Sequence, residues 1–170
     1  MLGSVRRFVL RALLIAGSSL LLLAPASFAS GTGLAPQEVR PAPPRTVAEV
    51  ALHRALEMRG VPYVWGGSTP SGFDCSGLVR FAYRGAGITL DHSSYAQWDA
   101  GPHVRRRDLL PGDIVFFGMG HVGLYVGGNR FVHAPETGRV VSINRIDRGW
   151  YAAMFSGGVR VRGSQQLVMR

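Results

Sequence analysis

The sequence of 170 residues contains no lysine and only one cysteine. All 19 residues counted as Lys or Arg are arginine, which excludes Schiff-base chemistry on a lysine and the phosphate-binding lysine of a P-loop. A single cysteine cannot form an internal disulfide, so a disulfide scaffold is excluded, as is a zinc site built from several thiolates. Charged residues are also few, at 17%, against 46% hydrophobic residues. This composition predicts one folded domain with a single core.

The first 29 residues have the pattern of a secretory signal peptide. Three arginines precede a short apolar run at residues 12–24, and the small residues Ser27 and Ala29 follow at the positions that a signal peptidase prefers. The alternative is a transmembrane anchor. The run is shorter than the ~20 residues that a membrane span needs and is interrupted by Gly17 and two serines, so a stable anchor is not expected.

Removal of this segment would lower the formal charge from +9 to +6, because three arginines and no acidic residue lie within it. The predicted location is therefore the periplasm or the exterior of the cell. An exported basic chain is not expected to bind nucleic acid, and an anionic polymer of the cell envelope suits the charge better. The run Arg105, Arg106 and Arg107 is the candidate contact, with a solvated loop as the equal alternative.

Beyond the signal peptide, the chain divides into three parts. Residues 30–45 are rich in Pro and Gly and predict a linker. Residues 46–161 predict the folded domain. Residues 162–170 form a polar tail that is expected to fray. The domain is expected to be a monomer.

Within the domain, the hydrophobic pattern changes from helical to strand-like along the chain. Helical spacing runs from Val47 to Met58, with Thr46 able to cap the start and Gly60 able to end the helix; a second helix is predicted over residues 74–84. Short Val-, Phe- and Ile-rich runs then alternate with turns at residues 114–117, 121–126, 130–133, 140–143 and 152–159. Helices followed by an antiparallel sheet of about five strands predict an α+β domain.

The lone Cys75 is the candidate nucleophile. It lies near the predicted start of the second helix, where free backbone N–H groups and the helix dipole would stabilise a thiolate. The alternative is an inert buried thiol, but the flanking residues are polar and Gly-rich.

Two histidines are predicted to lie close together and to supply the base. His121 begins one predicted strand and His133 ends the next, so a hairpin turn between them brings these two ends side by side. One imidazole can accept the thiol proton, and the other can orient the first through a ring-nitrogen hydrogen bond. For His53, His92 and His103 a structural or surface role is the favoured interpretation.

Five ordered motifs resemble the NlpC/P60 family of cysteine peptidases. They are VPYVWGG at residues 61–67, FDCSGLV at 73–79, PGDIVFF at 111–117, HVGLYV at 121–126 and FVHA at 131–134. The resemblance extends over roughly residues 47–159. It implies a papain-like α+β fold and cleavage of peptide stems in peptidoglycan, commonly between D-glutamate and a diamino acid, with no metal or cofactor.

The resemblance also implies roles for individual residues. Cys75 would be the nucleophile, His121 the base and His133 the third polar residue, and the Tyr63 hydroxyl would help to stabilise the oxyanion. Substrate contacts are implied for a further set: Asp74, Ser76, Ser93, Ser94 and Gln97. Asp74 is equally a natural cap of the second helix, and the three serines and Gln97 can equally be ordinary loop residues.

Two other functions remain open at this point. The resemblance also extends to thiol amidases, acyltransferases and toxins directed at rival cells, which share this arrangement of catalytic residues. A third possibility is a wall-binding protein without catalysis, against which the complete set of Cys75, His121, His133 and Tyr63 argues.

Overall fold

The computed structural model describes residues 45–168. The predicted signal peptide at residues 1–29, the predicted linker except for its last residue, and the last two residues of the tail lie outside this range. Within residues 45–168, no helix is long and apolar enough to cross a lipid bilayer.

The first helix, α1 (Val47–Glu57), forms as its sequence predicts. Thr46 is the N-cap and completes a capping box, because its hydroxyl accepts from the Glu49 N–H while the Glu49 carboxylate accepts from the Thr46 N–H. Small and branched side chains on one face are buried, namely Ala48, Ala51, Leu52 and Ala55. Gly60 follows the helix with φ of 90°, a backbone conformation that favours glycine.

The second helix, α2 (Cys75–Arg84), follows a small hairpin of strands β1 (Ser68–Thr69) and β2 (Gly72–Phe73). The helix was predicted from residue 74, but Asp74 is its N-cap: the Asp74 carboxylate accepts from the Gly77 N–H at 2.7 Å. The nucleophile candidate is therefore the first residue of the helix.

Six antiparallel strands form the main sheet, in the order β3-β8-β4-β5-β6-β7. Their bounds are β3 (His103–Val104), β4 (Ile114–Phe117), β5 (His121–Gly127), β6 (Arg130–His133), β7 (Ser142–Arg145) and β8 (Phe155–Val159). The turn between β5 and β6 has two residues, Gly128 and Asn129, both with positive φ. This is the turn chemistry of a tight hairpin, as predicted.

The sheet differs from the predicted one in number and bounds of strands. β3 adds a sixth strand by pairing with β8, a long-range contact that local pattern does not reveal. The strand predicted at residues 140–143 lies at 142–145. The strand predicted at 152–159 begins only at Phe155, because helix α4 (Gly149–Met154) precedes it. A short helix, α3 (Ser94–Trp98), and a turn of 3₁₀ helix (Arg106–Asp108) were also not predicted.

The core lies on both faces of the sheet. Because side chains alternate along a strand, neighbours such as Phe116 and Phe117 enter different clusters. Phe116 packs in the larger cluster with helices α1 and α2. Phe117 packs on the opposite face with Phe131 and, at the edge of that cluster, Tyr151 of α4.

The turn before β4 has a structural role in this chain. The fully buried Asp113 carboxylate accepts from the Arg160 guanidinium at 3.0 and 2.8 Å and from the Leu110 N–H. The Gly112 carbonyl accepts from the buried Tyr83 hydroxyl at 2.9 Å. These bonds join α2, β4 and the chain after β8.

The expected fraying of the tail is wrong for the described part. The Val47 and Ala48 N–H groups donate to carbonyls of Gln166 and Ser164, at 2.9 and 2.8 Å, and Val168 donates to Arg45. The first N–H groups of a helix have no acceptor within it, so the tail satisfies those of α1.

Candidate active site

Cys75 lies at the N-terminus of α2 beside the start of β5. Its Sγ is 3.8 Å from the Gly120 carbonyl oxygen, which accepts from the thiol. The backbone N–H of Val122 also interacts with the sulfur. The thiol therefore contacts the backbone on both sides of His121.

A glycine sets the packing around this helix start. A Cβ at Gly77 would collide with the Gly67 carbonyl and stand 2.8 Å from Nε2 of His92. The segment that carries Cys75 can therefore approach the loop before β1 only because position 77 has no side chain.

Burial raises the pKa of the Cys75 thiol above its ordinary value. The N–H of Val122 favours the thiolate and partly offsets this effect, whereas the Asp74 carboxylate disfavours the thiolate. The sequence predicted a thiolate stabilised by the helix terminus; in this environment, desolvation is the larger influence.

The two imidazoles are in direct contact. Nε2 of His121, at the start of β5, is 2.7 Å from Nδ1 of His133, at the end of β6. Gly123 lies between them on β5, and a Cβ there would stand 3.0 Å from the Cβ of His133. Since Nε2 of His121 is engaged, Nδ1 is the ring nitrogen left for the thiol.

Both histidines are neutral near pH 7 in this environment. Burial lowers the pKa of His121 to about 4. Burial, and next the charge of His121, lowers the pKa of His133 to about 3. A neutral His121 has a free lone pair and can act as a base.

Tyr63 approaches Cys75 from the loop before β1. It is bridged to Phe73, the residue two before Cys75, and its N–H donates to the Arg139 carbonyl. Burial raises the pKa of the Tyr63 hydroxyl, and the nearby charges of Cys75 and Asp74 raise it further. The hydroxyl therefore keeps its proton and can donate a hydrogen bond near Cys75.

Asp74 is the most heavily bonded polar residue of the site. Besides capping α2 through Gly77, its carboxylate accepts from the Gly66 N–H at 3.0 Å and the Ser76 hydroxyl at 3.1 Å. Nε2 of His92 lies 2.9 Å from each carboxylate oxygen. Sequence reasoning placed Asp74 at the site but missed its contact with His92. The only signal for this contact is the position of His92 just before Ser93 and Ser94.

Ser93 and Ser94 begin α3 and connect it to the site. The Ser93 hydroxyl accepts from the Ala96 N–H as the N-cap of the helix. The Ser94 hydroxyl donates to the Met119 carbonyl at 2.8 Å, in the turn next to Gly120. Ser94 thus connects α3 to the turn that Cys75 also contacts, and Ser93 fixes the start of that helix.

Gln97 is buried behind the site. Its side-chain N–H₂ group donates to the Ser76 carbonyl at 3.0 Å and to the Asp91 carbonyl at 2.8 Å. Its exposed fraction is 1%, so its contacts are with α2 and the preceding loop and not with solvent.

On the far side of His121, helix α4 borders a cavity of about 340 Å³. The lining residues are His121, Pro135, Glu136, Trp150 and Tyr151. Nδ2 of Asn144 on β7 lies near the same residues, 3.1 Å from Nε2 of His133. Sequence reasoning missed Asn144, Trp150 and Tyr151, because they come from a helix and a strand whose bounds it misplaced.

The two remaining histidines have structural or surface contacts. His53 on α1 is half exposed and lies 3.1 Å from Glu57, one helical turn away. His103 on β3 is exposed and lies with its ring centroid 4.2 Å from that of Trp98.

Comparisons with known proteins find related sequences and structures. The profile of the NlpC/P60 family matches residues 60–160. A gamma-DL-glutamyl hydrolase of Bacillus subtilis is 37% identical over 139 residues, which cover 77% of this chain and 33% of the relative. The murein DD-endopeptidase MepH of Escherichia coli is 38% identical over 130 residues, which cover 70% of this chain and 48% of the relative.

A solved NlpC/P60 family protein of Bacillus cereus has the same fold. It superposes with a TM-score of 0.65 at 31% identity, over 69% of this chain and 41% of the other. The chain thus spans less than two thirds of the length of these relatives.

Proposed function

Because this chain belongs to the NlpC/P60 family, we propose that it is a cysteine endopeptidase that hydrolyses amide bonds in the peptide stems of peptidoglycan. The bond that we propose is the one between D-glutamate and the diamino acid; the name of the Bacillus subtilis relative, a gamma-DL-glutamyl hydrolase, supports cleavage at a glutamyl bond. The observation that carries this proposal is the contact of the Cys75 thiol with the backbone around His121, together with the 2.7 Å contact between His121 and His133.

In the proposed first step, Sγ of Cys75 attacks the carbonyl carbon of the amide. The thiol proton passes to Nδ1 of His121, which is neutral before the attack because burial lowers its pKa to about 4. In the tautomer that this step requires, Nε2–H of His121 donates to Nδ1 of His133, 2.7 Å away, and this bond favours the imidazolium that forms.

The negative charge that develops on the carbonyl oxygen needs hydrogen-bond donors. We propose the N–H of Cys75, which as the first residue of α2 has no acceptor within the helix, and the hydroxyl of Tyr63, which burial keeps protonated. Each such donor contributes on the order of 3 kcal/mol to stabilisation of the transition state.

The amide bond then breaks. His121 returns its proton to the leaving amine nitrogen, and a thioester links the acyl fragment to Cys75. Water attacks this thioester while His121 takes a proton from the water. That proton returns to Sγ when the acid product leaves.

The groove around Cys75 has two chemically different sides. On the side of α2, the Asp74 carboxylate and the Ser76 hydroxyl offer acceptors to an ammonium group of the acyl fragment. Ser94 contacts the turn next to Gly120 and Gln97 contacts the Ser76 carbonyl, while Ser93 caps the helix α3 that carries both. On the other side, the cavity beside His121 offers Trp150 as an apolar surface for the leaving fragment.

The Escherichia coli relative favours a second bond. A DD-endopeptidase cleaves between two D-centres, which points to the cross-link between stems as the alternative substrate. The two alternatives release products of different mass from the same cross-linked fragment.

We also propose that the chain acts in the cell envelope, after export by the segment at residues 1–29. The run Arg105, Arg106 and Arg107 is exposed, which leaves it free to contact an anionic envelope polymer. Its only described ion-pair partner is Asp108, 2.7 Å from Arg105 and 4.0 Å from Arg107.

The test is digestion of defined peptidoglycan fragments, both cross-linked and uncross-linked, with product masses as the readout. Wild-type protein should release fragments ending in D-glutamate, and Cys75→Ala and His121→Ala should release none. His53→Ala is the matched control and should cleave at the wild-type rate, since His53 is half exposed on α1. Cleavage by Cys75→Ala would contradict the mechanism, and products cut only at the cross-link would replace the proposed bond with the alternative.

A further inference from the structure

The pair of histidines continues into a third polar group. Asn144 on β7 places Nδ2 3.1 Å from Nε2 of His133, on the side of that ring that faces away from His121. The same Nδ2 is 3.3 Å from the hydroxyl oxygen of Tyr151 on α4. Four side chains therefore form one hydrogen-bonded series, in the order His121, His133, Asn144 and Tyr151.

Every bond in this series depends on the one before it, because each neutral imidazole carries a single proton. If Asn144 donates to Nε2 of His133, the His133 proton lies on Nδ1 and donates to Nε2 of His121. The His121 proton then lies on Nδ1, the nitrogen left for the thiol. In this arrangement His121 has no lone pair for the Cys75 proton.

A half-turn of the Asn144 amide reverses the whole series, since it exchanges Oδ1 and Nδ2 at nearly the same positions. Oδ1 then accepts from Nε2–H of His133, and Nδ1 of His133 accepts from Nε2–H of His121. Nδ1 of His121 is now free to take the thiol proton. Only this arrangement supports the proposed reaction.

Tyr151 can hold the amide in the productive orientation. An amide oxygen has two lone pairs and can accept from both the His133 ring and the Tyr151 hydroxyl. The charged groups near that hydroxyl are Glu136 and Arg139, and burial keeps it protonated by raising its pKa. The hydroxyl is therefore available as a donor.

We propose that Asn144 is a positioning residue that sets the tautomer of His121 through His133, with Tyr151 fixing the orientation of the Asn144 amide. This inference rests on the proposed function only in assigning His121 as the base. The tautomers themselves are a property of the resting protein.

The experiment compares Asn144→Asp with Asn144→Leu. Both new side chains are similar in size to asparagine, but only aspartate can form a hydrogen bond. Aspartate can only accept from His133 and keeps the productive arrangement, whereas leucine neither accepts nor donates. The first readout is the ¹⁵N chemical shifts of the histidine ring nitrogens in the full chain at pH 7. We expect His121 protonated on Nε2 in the wild type and in Asn144→Asp, and a mixture of tautomers in Asn144→Leu.

The second readout is cleavage of the peptidoglycan fragment. Asn144→Leu should lower kcat on the order of 10- to 100-fold with KM unchanged; removing the charged orienting group of a serine protease triad costs about 10⁴. Asn144→Asp should stay within a few-fold of wild type, with the acidic limb of its pH profile shifted to higher pH because the new carboxylate favours protonated imidazole. Tyr151→Phe should lower kcat by less than Asn144→Leu.

The proposal is overturned if His121 has the same tautomer in the leucine and wild-type proteins, or if leucine and aspartate lower kcat equally without a shift of the pH profile. Should Asn144→Leu fail to fold, Asn144→Ser and Tyr151→Phe give the same ring-nitrogen comparison. If the wild-type protein cleaves no fragment, the proposed function fails while the ¹⁵N measurement still decides the tautomer.

Discussion

Arg160 binds the buried carboxylate of Asp113 through two parallel hydrogen bonds. Nε donates to Oδ1 at 3.0 Å and a terminal nitrogen donates to Oδ2 at 2.8 Å. Asp113 is fully buried, whereas the Arg160 side chain is 25% exposed. Asp113 lies in one of the five motifs, and the role of its pair with Arg160 is to hold the sheet and not to contact substrate.

Replacing Asp113 by alanine should therefore destabilise the domain. The change leaves the Arg160 guanidinium without its partner and frees the Leu110 N–H. Breaking a buried ion pair costs roughly 3–5 kcal/mol, and we expect the lower end because Arg160 reaches solvent. Urea denaturation measures this loss. The double variant Asp113→Ala with Arg160→Leu should recover part of it, and equal stability of the single variant and wild type would contradict the assignment.

Asp74 combines two roles that two substitutions can separate. Asparagine can keep the cap through Oδ1 but turns Nδ2 toward the Gly66 N–H, so Asp74→Asn should lower stability by about 1 kcal/mol while KM rises about 10-fold or more through loss of the carboxylate. Asp74→Ala should show the same rise in KM and a larger loss of stability, about 2 kcal/mol or more, because it also removes the cap to the Gly77 N–H and the acceptor of the Ser76 hydroxyl.

The matched control for Asp74 is Asp99→Asn, because Asp99 is exposed at the end of α3. It should change neither KM nor the melting temperature. An Asp74→Asn protein with wild-type KM would show that the carboxylate does not bind substrate.

The single cysteine allows a direct measurement of the resting state of the site. Since burial raises the pKa of Cys75 and lowers that of His121 to about 4, the resting pair is a neutral thiol and a neutral imidazole. Alkylation by iodoacetamide needs the thiolate, so its rate should rise with pH and reach half its maximum above the ordinary thiol value of about 8.5.

His121→Ala is the control for this titration. It should leave the alkylation profile nearly unchanged, because a neutral imidazole does not stabilise the thiolate by charge. A plateau of fast alkylation below pH 7 that disappears in His121→Ala would instead establish a thiolate–imidazolium pair, and the mechanism would then begin from charged residues.

The pairing of His121 with His133 could be predicted because it depends on local information. A two-residue turn at Gly128 and Asn129 fixes the register of two consecutive strands, and the register brings the two histidines onto one face. The helix that carries Cys75 could be predicted for the same reason, because its cap and its apolar spacing lie within a dozen residues.

Other parts of the site depend on contacts between distant segments. Asn144 is one polar residue on a strand, and nothing in its neighbourhood distinguishes it from a solvent-facing asparagine until β7 pairs with β6. Helix α4 was missed because its apolar residues continue without a break into Phe155, the first residue of β8, so the sequence shows no boundary between helix and strand. His92 gained its contact with Asp74 only through the packing of the segment before α3 against α2.

The bond from the Val168 N–H to the Arg45 carbonyl, and the bridge between Thr46 and Leu167, bring the two ends of the domain together. A domain whose ends meet can be joined head to tail by a short linker and opened elsewhere. The exposed turn at Gly138, between β6 and β7, is a suitable opening. A circularly permuted chain opened there should fold with the same strand order, and it would place both new termini beside the cavity on the far side of His121.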